Sequence, residues 1–139
     1  MKRVLVTRPL PDEVTRPLRA LAEVDVRAET TPMTAPELEE ALGAYDAILP
    51  TLGDALSAET LSRAGQVRTR LLANFGVGYN HIDVDAARAR GIAVTNTPGV
   101  LTDATADLAL TLLLATARRA GEGERLLRAG RWTGWHPTQ

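Results

Sequence analysis

Two kinds of hydrophobic pattern alternate along this chain. Short continuous apolar runs suit strands buried on both faces, and apolar residues three or four apart suit helices with one covered side. Val4-Leu5-Val6 is the first run, inside an expected strand from Lys2 to Thr7. Arg8-Pro9-Leu10-Pro11 must then be a loop, because proline cannot donate to a ladder. Val14, Leu18 and Leu21 recur at helical spacing, with Pro17 expected to interrupt that helix or delay its start. Val24 to Arg27 reads as a second strand. Thr34-Ala35-Pro36-Glu37 has the capping-box pattern with proline in the first turn, which predicts a helix to about Leu42 ended by Gly43. Ala47 to Leu49 is a third strand, stopped by Pro50, and Ser57 opens a helix through Leu61 to Arg63. Arg70 to Asn74 is a fourth strand. Asp83 caps a helix running to Arg90 and ended by Gly91, before a fifth strand from Ile92 to Thr95. Thr102 caps a long helix to about Arg119, and a shorter helix covers Glu122 to Ala129. The tail RWTGWHPTQ has no regular pattern.

This alternation predicts an α/β fold with a doubly wound, parallel, five-stranded sheet and right-handed crossovers. Ligands of such sheets sit beyond the carboxyl ends of the strands. Three strand ends are therefore candidates: Thr51-Leu52-Gly53, Phe75 to Asn80 and Asn96 to Gly99. The long helix is different in kind. Leu108, Leu110, Leu112, Leu113 and Leu114, with alanines between, leave it almost no polar side. Either it is a core helix, or another domain or subunit covers what one small sheet cannot. Uncovered, it would drive association, so a homodimer or domain-swapped dimer through Thr102–Arg119 is expected. Asp103 and Asp107 lie in its first turns, where the helix dipole favours acids.

Composition narrows the picture. At 139 residues the chain has room for about one domain. Lys plus Arg is 16 against 17 Asp plus Glu, interspersed, which gives no footprint for nucleic acid or an anionic membrane. The absence of cysteine excludes disulfides, thiolate metal sites and a cysteine nucleophile. The run Leu108 to Ala117 is about half of what a membrane span needs, and the N-terminus lacks a signal-peptide core, so a cytoplasmic protein is expected.

The candidate chemistry centres on Phe75-Gly76-Val77-Gly78-Tyr79-Asn80. Its G-x-G lacks the third glycine of a dinucleotide fingerprint, where His81 stands, and no acidic residue ends the next strand. Two readings remain: a backbone nest for an anion smaller than a pyrophosphate, or a glycine-rich turn with no ligand. His81 and His136 have no acidic cluster nearby and are read as structural or exposed. Metal-ligand spacing is absent, and no serine sits in a nucleophile elbow. Trp132 and Trp135 are two of the five aromatics, which suggests an anchor, for a partner subunit or a cofactor.

The run GVGYNHIDVDAARARGIAVTNTPGVLTDATADLALTLLLATARR, continued by LRAGRWTGWHP, resembles the D-2-hydroxyacid dehydrogenases, in their glyoxylate/hydroxypyruvate reductase branch. ILPTLGDALSAETL fits the same fold in the expected order, so the likeness covers the whole chain. It implies a flavodoxin-like substrate domain at 1–98, with 99–139 as linker helix and arm at the start of a nucleotide-binding domain. It also implies that the N–H groups of Val77 and Gly78 hold a substrate carboxylate and that Leu52 and Gly53 line the pocket. Thr102 would lie near the nicotinamide of NAD(P)H, and Trp135 on an arm toward the partner subunit. The family's dinucleotide fingerprint and its catalytic Arg, Glu and His have no counterpart here. The expectation is the N-terminal part of an NAD(P)-dependent reductase of a small 2-keto acid, inactive alone, with no catalytic residue and no tightly bound cofactor. The alternative is a non-catalytic flavodoxin-like module binding a small carboxylate or a protein partner.

Overall fold

The computed structural model describes residues 1–137, so Thr138 and Gln139 of the tail read as irregular lie outside the described residues. Two compact units form, Met1–Gly99 and Val100–Gln139.

The first unit contains β1 (Arg3–Val6), α1 (Asp12–Arg19), β2 (Glu23–Val26), α2 (Ala35–Ala44), β3 (Ala47–Leu49), α3 (Ala58–Arg63), β4 (Leu71–Ala73), α4 (Val84–Ala89) and β5 (Ala93–Thr95). The strands make one parallel sheet in the order β2-β1-β3-β4-β5, the flavodoxin-like doubly wound arrangement. The register aligns Leu5, Ile48, Leu72 and Val94 in one row across the sheet. That row packs with Leu38, Ala41 and Leu42 of α2, Leu61 of α3 and Ala87 of α4. Each fully buried leucine stabilises the unit by about 1.5–3 kcal/mol. The opposite face is closed at Val6, half-buried at Leu49 and Leu71, and open at Ala93 and Thr95.

Several local expectations need correction. Pro17 neither breaks nor delays α1. It sits on an exposed stretch, where water can satisfy the Glu13 carbonyl that loses its helical partner. Leu21 falls beyond that helix and is exposed. Gly43 does not end α2, which runs on to Ala44. Its lack of a side chain serves packing instead: a Cβ there would stand 3.3 Å from the Gln66 carbonyl oxygen. The capping signal before α2 is realised through Glu37, whose carboxylate accepts from the Thr34 N–H at 2.7 Å and the Thr34 hydroxyl at 2.8 Å. Ser57 and Asp83 cap α3 and α4 by accepting from Thr60 N and Ala86 N.

The second unit holds α5 (Thr102–Ala117) and α6 (Ala120–Arg128). Leu101 occupies the cap position of α5, and Thr102 is its first helical residue rather than its cap. The long helix stops at Ala117, two residues short of expectation, and α6 starts two residues early. Arg119 adopts a left-handed conformation between them (φ 52°), which costs about 1–2 kcal/mol for a residue with a side chain. Its guanidinium donates to Glu122 in the first turn of α6 at 2.5 and 2.9 Å, tightening the corner. No residue of α5 is buried. No described helix is long and apolar enough to cross a membrane.

Candidate functional site

Two loops of the first unit leave the carboxyl ends of β3 and β4 side by side. Phe75 N–H donates to the Pro50 carbonyl at 2.9 Å, and the loops pair again at an isolated parallel bridge between Leu56 and Ile82. Asp83 N–H completes that bridge by donating to the Leu56 carbonyl at 2.9 Å. The loops lie beside the point where strand order reverses between β1 and β3, where ligands of this sheet type are found.

The β3 loop is built around Asp54, which is fully buried. One carboxylate oxygen accepts from the Thr7 hydroxyl at 2.6 Å and from Thr51 N–H at 2.9 Å, and the other accepts from Met33 N–H at 2.9 Å. Asp54 N–H returns to the Thr51 carbonyl at 3.2 Å. Buried donors are thereby satisfied by a charged acceptor, the stronger kind of hydrogen bond. The turn so fixed presents Leu52, 64% exposed, and Gly53. Gly53 has φ +97°, and a Cβ there would meet Pro32 Cγ at 2.8 Å, so only glycine fits. Arg8, just past β1, donates to the Leu52 carbonyl at 2.6 Å. Its Nε is buried and meets no partner among the described residues.

The β4 loop contains the expected nest. Asn74 is buried and donates through Nδ2 to the carbonyls of Gly76 at 3.0 Å and Gly78 at 2.9 Å. Thr97 N–H also donates to Gly76 O at 3.1 Å, and Asn96 Nδ2 to Val77 O at 2.9 Å. In a trans peptide the N–H points opposite to the C=O of the same plane. Holding the carbonyls of Gly76, Val77 and Gly78 therefore fixes the directions of the N–H groups of Val77, Gly78 and Tyr79. Among the described residues, the Val77 and Gly78 N–H groups meet no acceptor. Both residues are exposed. Unpaired, oriented amides are what a small anion needs.

His81 lies behind this loop, its Nε2 3.0 Å from Asn74 Oδ1. Burial lowers its pKa below the ordinary histidine value, with the Asp54 charge opposing. Its Nε2 is committed to Asn74. A cavity of about 280 Å³ adjoins the loop on the β5 side, lined by Tyr79, Val84, Val94, Thr95 and Asn96, and neither Val77 nor Gly78 contributes to it. In the loop itself the apolar side chains of Phe75, Val77 and Tyr79 are all exposed, as is that of Leu52 on the β3 loop.

A nicotinamide dinucleotide would need a glycine loop opening onto a free helix N-terminus. The helix after the glycine loop does not offer a free N-terminus, because the Asp83 carboxylate occupies it, accepting from Ala86 N–H at 2.9 Å. An acid there repels a pyrophosphate instead of receiving it. The loop does not fit a dinucleotide. No group of three or more His, Cys, Asp or Glu able to hold a metal occurs among the described residues.

The remaining sequence candidates belong to the second unit. Thr102 is exposed at the start of α5. Trp135 is exposed and lines a cavity of about 750 Å³ with Arg118, Arg125, Arg131, Trp132 and His136. Sequence reading missed Asp54 and Asn74, and it placed Asn96 at a candidate strand end without seeing its role. For Asp54 a signal existed: Thr51-Leu52-Gly53-Asp54 has the acid three residues after threonine that marks a reciprocal cap. For the two asparagines the spacing carries no signal.

The family model of the D-isomer specific 2-hydroxyacid dehydrogenase catalytic domain matches residues 4–132. The chain belongs to this family. It is 42% identical over 139 residues to a glyoxylate reductase of Thermococcus kodakarensis, covering 97% of this chain and 41% of that protein. It is 38% identical over 138 residues to a glycerate dehydrogenase of Hyphomicrobium methylovorum, covering 99% of this chain and 42% of that protein. In structure it is similar to the TT0316 protein of Thermus thermophilus, with a TM-score of 0.87 and 46% identity over 97% of this chain and 43% of that one. The chain thus spans about two fifths of the relatives it matches, corresponding to an N-terminal portion of them. Enzymes of the family depend on NAD or NADP.

Proposed function

We propose that Val77 and Gly78 hold the carboxylate of a small 2-keto or 2-hydroxy acid, and that this chain is the acid-binding portion of a glyoxylate/hydroxypyruvate-type reductase. The observation that carries this reading is the pair of oriented N–H groups whose neighbouring carbonyls are all held by other donors. Two relatives, a glyoxylate reductase and a glycerate dehydrogenase, are named for acids of that size. Leu52 and Gly53 form the neighbouring wall. Residues 1–98 constitute the substrate domain, and 99–139 the linker helix and arm of a nucleotide-binding domain. Thr102 serves near the nicotinamide, and Trp135 approaches a partner subunit. The leucines of α5 are covered by a second copy of the chain. The 139 residues alone bind the acid without reducing it, since no dinucleotide bed occurs among the described residues.

Calorimetry with glyoxylate, glycolate and D-glycerate tests the binding, and NADH or NADPH oxidation tests the inactivity. Saturable heat without turnover is expected. Turnover by these 139 residues would overturn the inactivity. Absence of heat with all three acids would overturn the nest. A second reading, a non-catalytic acid-binding module, draws on the same nest and the poor fit to a dinucleotide. It would prevail if acid binding stayed unchanged when the rest of a related dehydrogenase was supplied and no turnover followed.

A further inference from the structure

A chain of hydrogen bonds runs from His81 into the nest. The two carbonyls of Gly76 and Gly78 can only accept, so the Asn74 group facing them at 3.0 and 2.9 Å is its NH₂, and both hydrogens are used. The Asn74 oxygen therefore faces His81, and at 3.0 Å the His81 Nε2 must carry the proton and donate. This assigns the tautomer. Asn74 itself is 2% exposed, so it has no water to fall back on, and His81 supplies the donor that its side-chain oxygen needs. Asn96 adds a separate pin on the carbonyl between, that of Val77.

We infer that Asn74, backed by His81, is a positioning residue that aims the Val77 N–H and braces the loop on either side of the Gly78 N–H, which Asn96 aims through the Val77 carbonyl. This deepens the carboxylate-nest reading and rests on it for its ligand. Without Asn74 the Gly76 carbonyl, whose plane carries the Val77 N–H, keeps only the Thr97 N–H, and the Gly78 carbonyl loses its anchor, so the planes on both sides of the one held by Asn96 loosen. The Val77 amide is then no longer firmly held in a fixed direction. His81 touches no ligand and acts only through Asn74.

Amide spectra of the ¹⁵N-labelled chain, titrated with glycolate, test this. In the unaltered protein the Val77 and Gly78 signals shift saturably, and both amides are rigid, with order parameters near ~0.85. Asn74→Asp keeps size and shape but cannot donate to two carbonyls. Its expected result is a fall in glycolate affinity of roughly tenfold or more and a drop of the Val77–Tyr79 order parameters, while the sheet signals stay in place. His81→Leu, which strands the Asn74 oxygen, gives the same pattern, and His81→Gln, which can still donate, restores it. Asn96→Ala frees the Val77 carbonyl, so the Gly78 amide is expected to loosen and glycolate affinity to fall as well. Unchanged affinity and unchanged order parameters in folded Asn74→Asp and His81→Leu would overturn the inference. If the unaltered protein ignores glycolate, the nest reading fails by itself. The order parameters then decide the positioning role alone: loosening confined to Val77–Tyr79 sustains it, and no loosening overturns it.

Discussion

Leu38, Leu42, Leu61 and Leu72 of the first unit are fully buried, whereas Leu108, Leu110, Leu112, Leu113 and Leu114 of α5 are between 58% and 62% exposed. The residue type is the same, and the surroundings differ. In α2 the leucines share one side of a helix whose other side carries Glu39 and Glu40, so the pattern names a direction and the sheet lies in it. In α5 apolar residues surround the axis, so the pattern says that the helix is to be covered but not by what. The first unit completes its own core. The second carries an apolar surface that its own forty residues leave open.

The most forceful way to sharpen this contrast is truncation in each region. Leu72→Ala should cost about 2–5 kcal/mol in urea unfolding of the first unit. Leu112→Ala in α5 should change that transition by less than about 0.5 kcal/mol. Equal losses would erase the contrast. Next comes Asp54→Ala, which strands the buried donors of Thr7, Thr51 and Met33 at the candidate site. A loss of about 3 kcal/mol is expected, measured by the same unfolding. A loss below about 1 kcal/mol would mean that the β3 loop does not depend on its buried acid.

Association is the third lever. Sedimentation at micromolar concentration should show a dimer, and Leu110→Gln with Leu113→Gln should weaken it by roughly tenfold or more, since each leucine covered is worth about 1.5–3 kcal/mol. A monomer in the unaltered chain would show that α5 tolerates its exposure. The smallest effect concerns pH. The pKa of His81 is depressed in the folded state by burial. Below about pH 6.5 the unfolded chain binds a proton that the folded chain resists, so stability present above that pH is lost as pH falls through the folded value. A shallow loss of melting temperature as pH falls below about 6.5 is expected, absent in His81→Gln. An identical pH profile in the two proteins would refute the assignment to His81. Asp46 acts at lower pH. Its carboxylate is held well below the ordinary range, first by Arg68 and then by the Arg3 N–H, so its contribution fades only as pH drops below about 4.

Much of the fold was readable because its signals are local. Val4-Leu5-Val6, Ala47-Ile48-Leu49 and Leu71-Leu72-Ala73 each declare a strand within a few residues, and Ser57 and Asp83 declare helix starts through their own side chains. Pro17 and Gly43 misled for the complementary reason. A propensity is a local average, and exposure of one and the close approach of Gln66 to the other are tertiary facts. The glycine loop was visible as a loop, but its supports were not. Asn74 and Asn96 are ordinary residues in a sequence, and their meaning lies in which carbonyls they reach.

By itself, then, the sequence determined the order and kind of the elements, the family, and the presence of an unusually apolar helix. Each of these is written in spacing along the chain. The tertiary structure alone decided the strand order, the burial of Asp54 and the pinning of three successive carbonyls. Thr7 lies 47 residues from Asp54, and Asn96 lies 19 from Val77. Only the closing of the parallel sheet, which sets the ends of β1, β3, β4 and β5 side by side, brings such distant groups within hydrogen-bond reach.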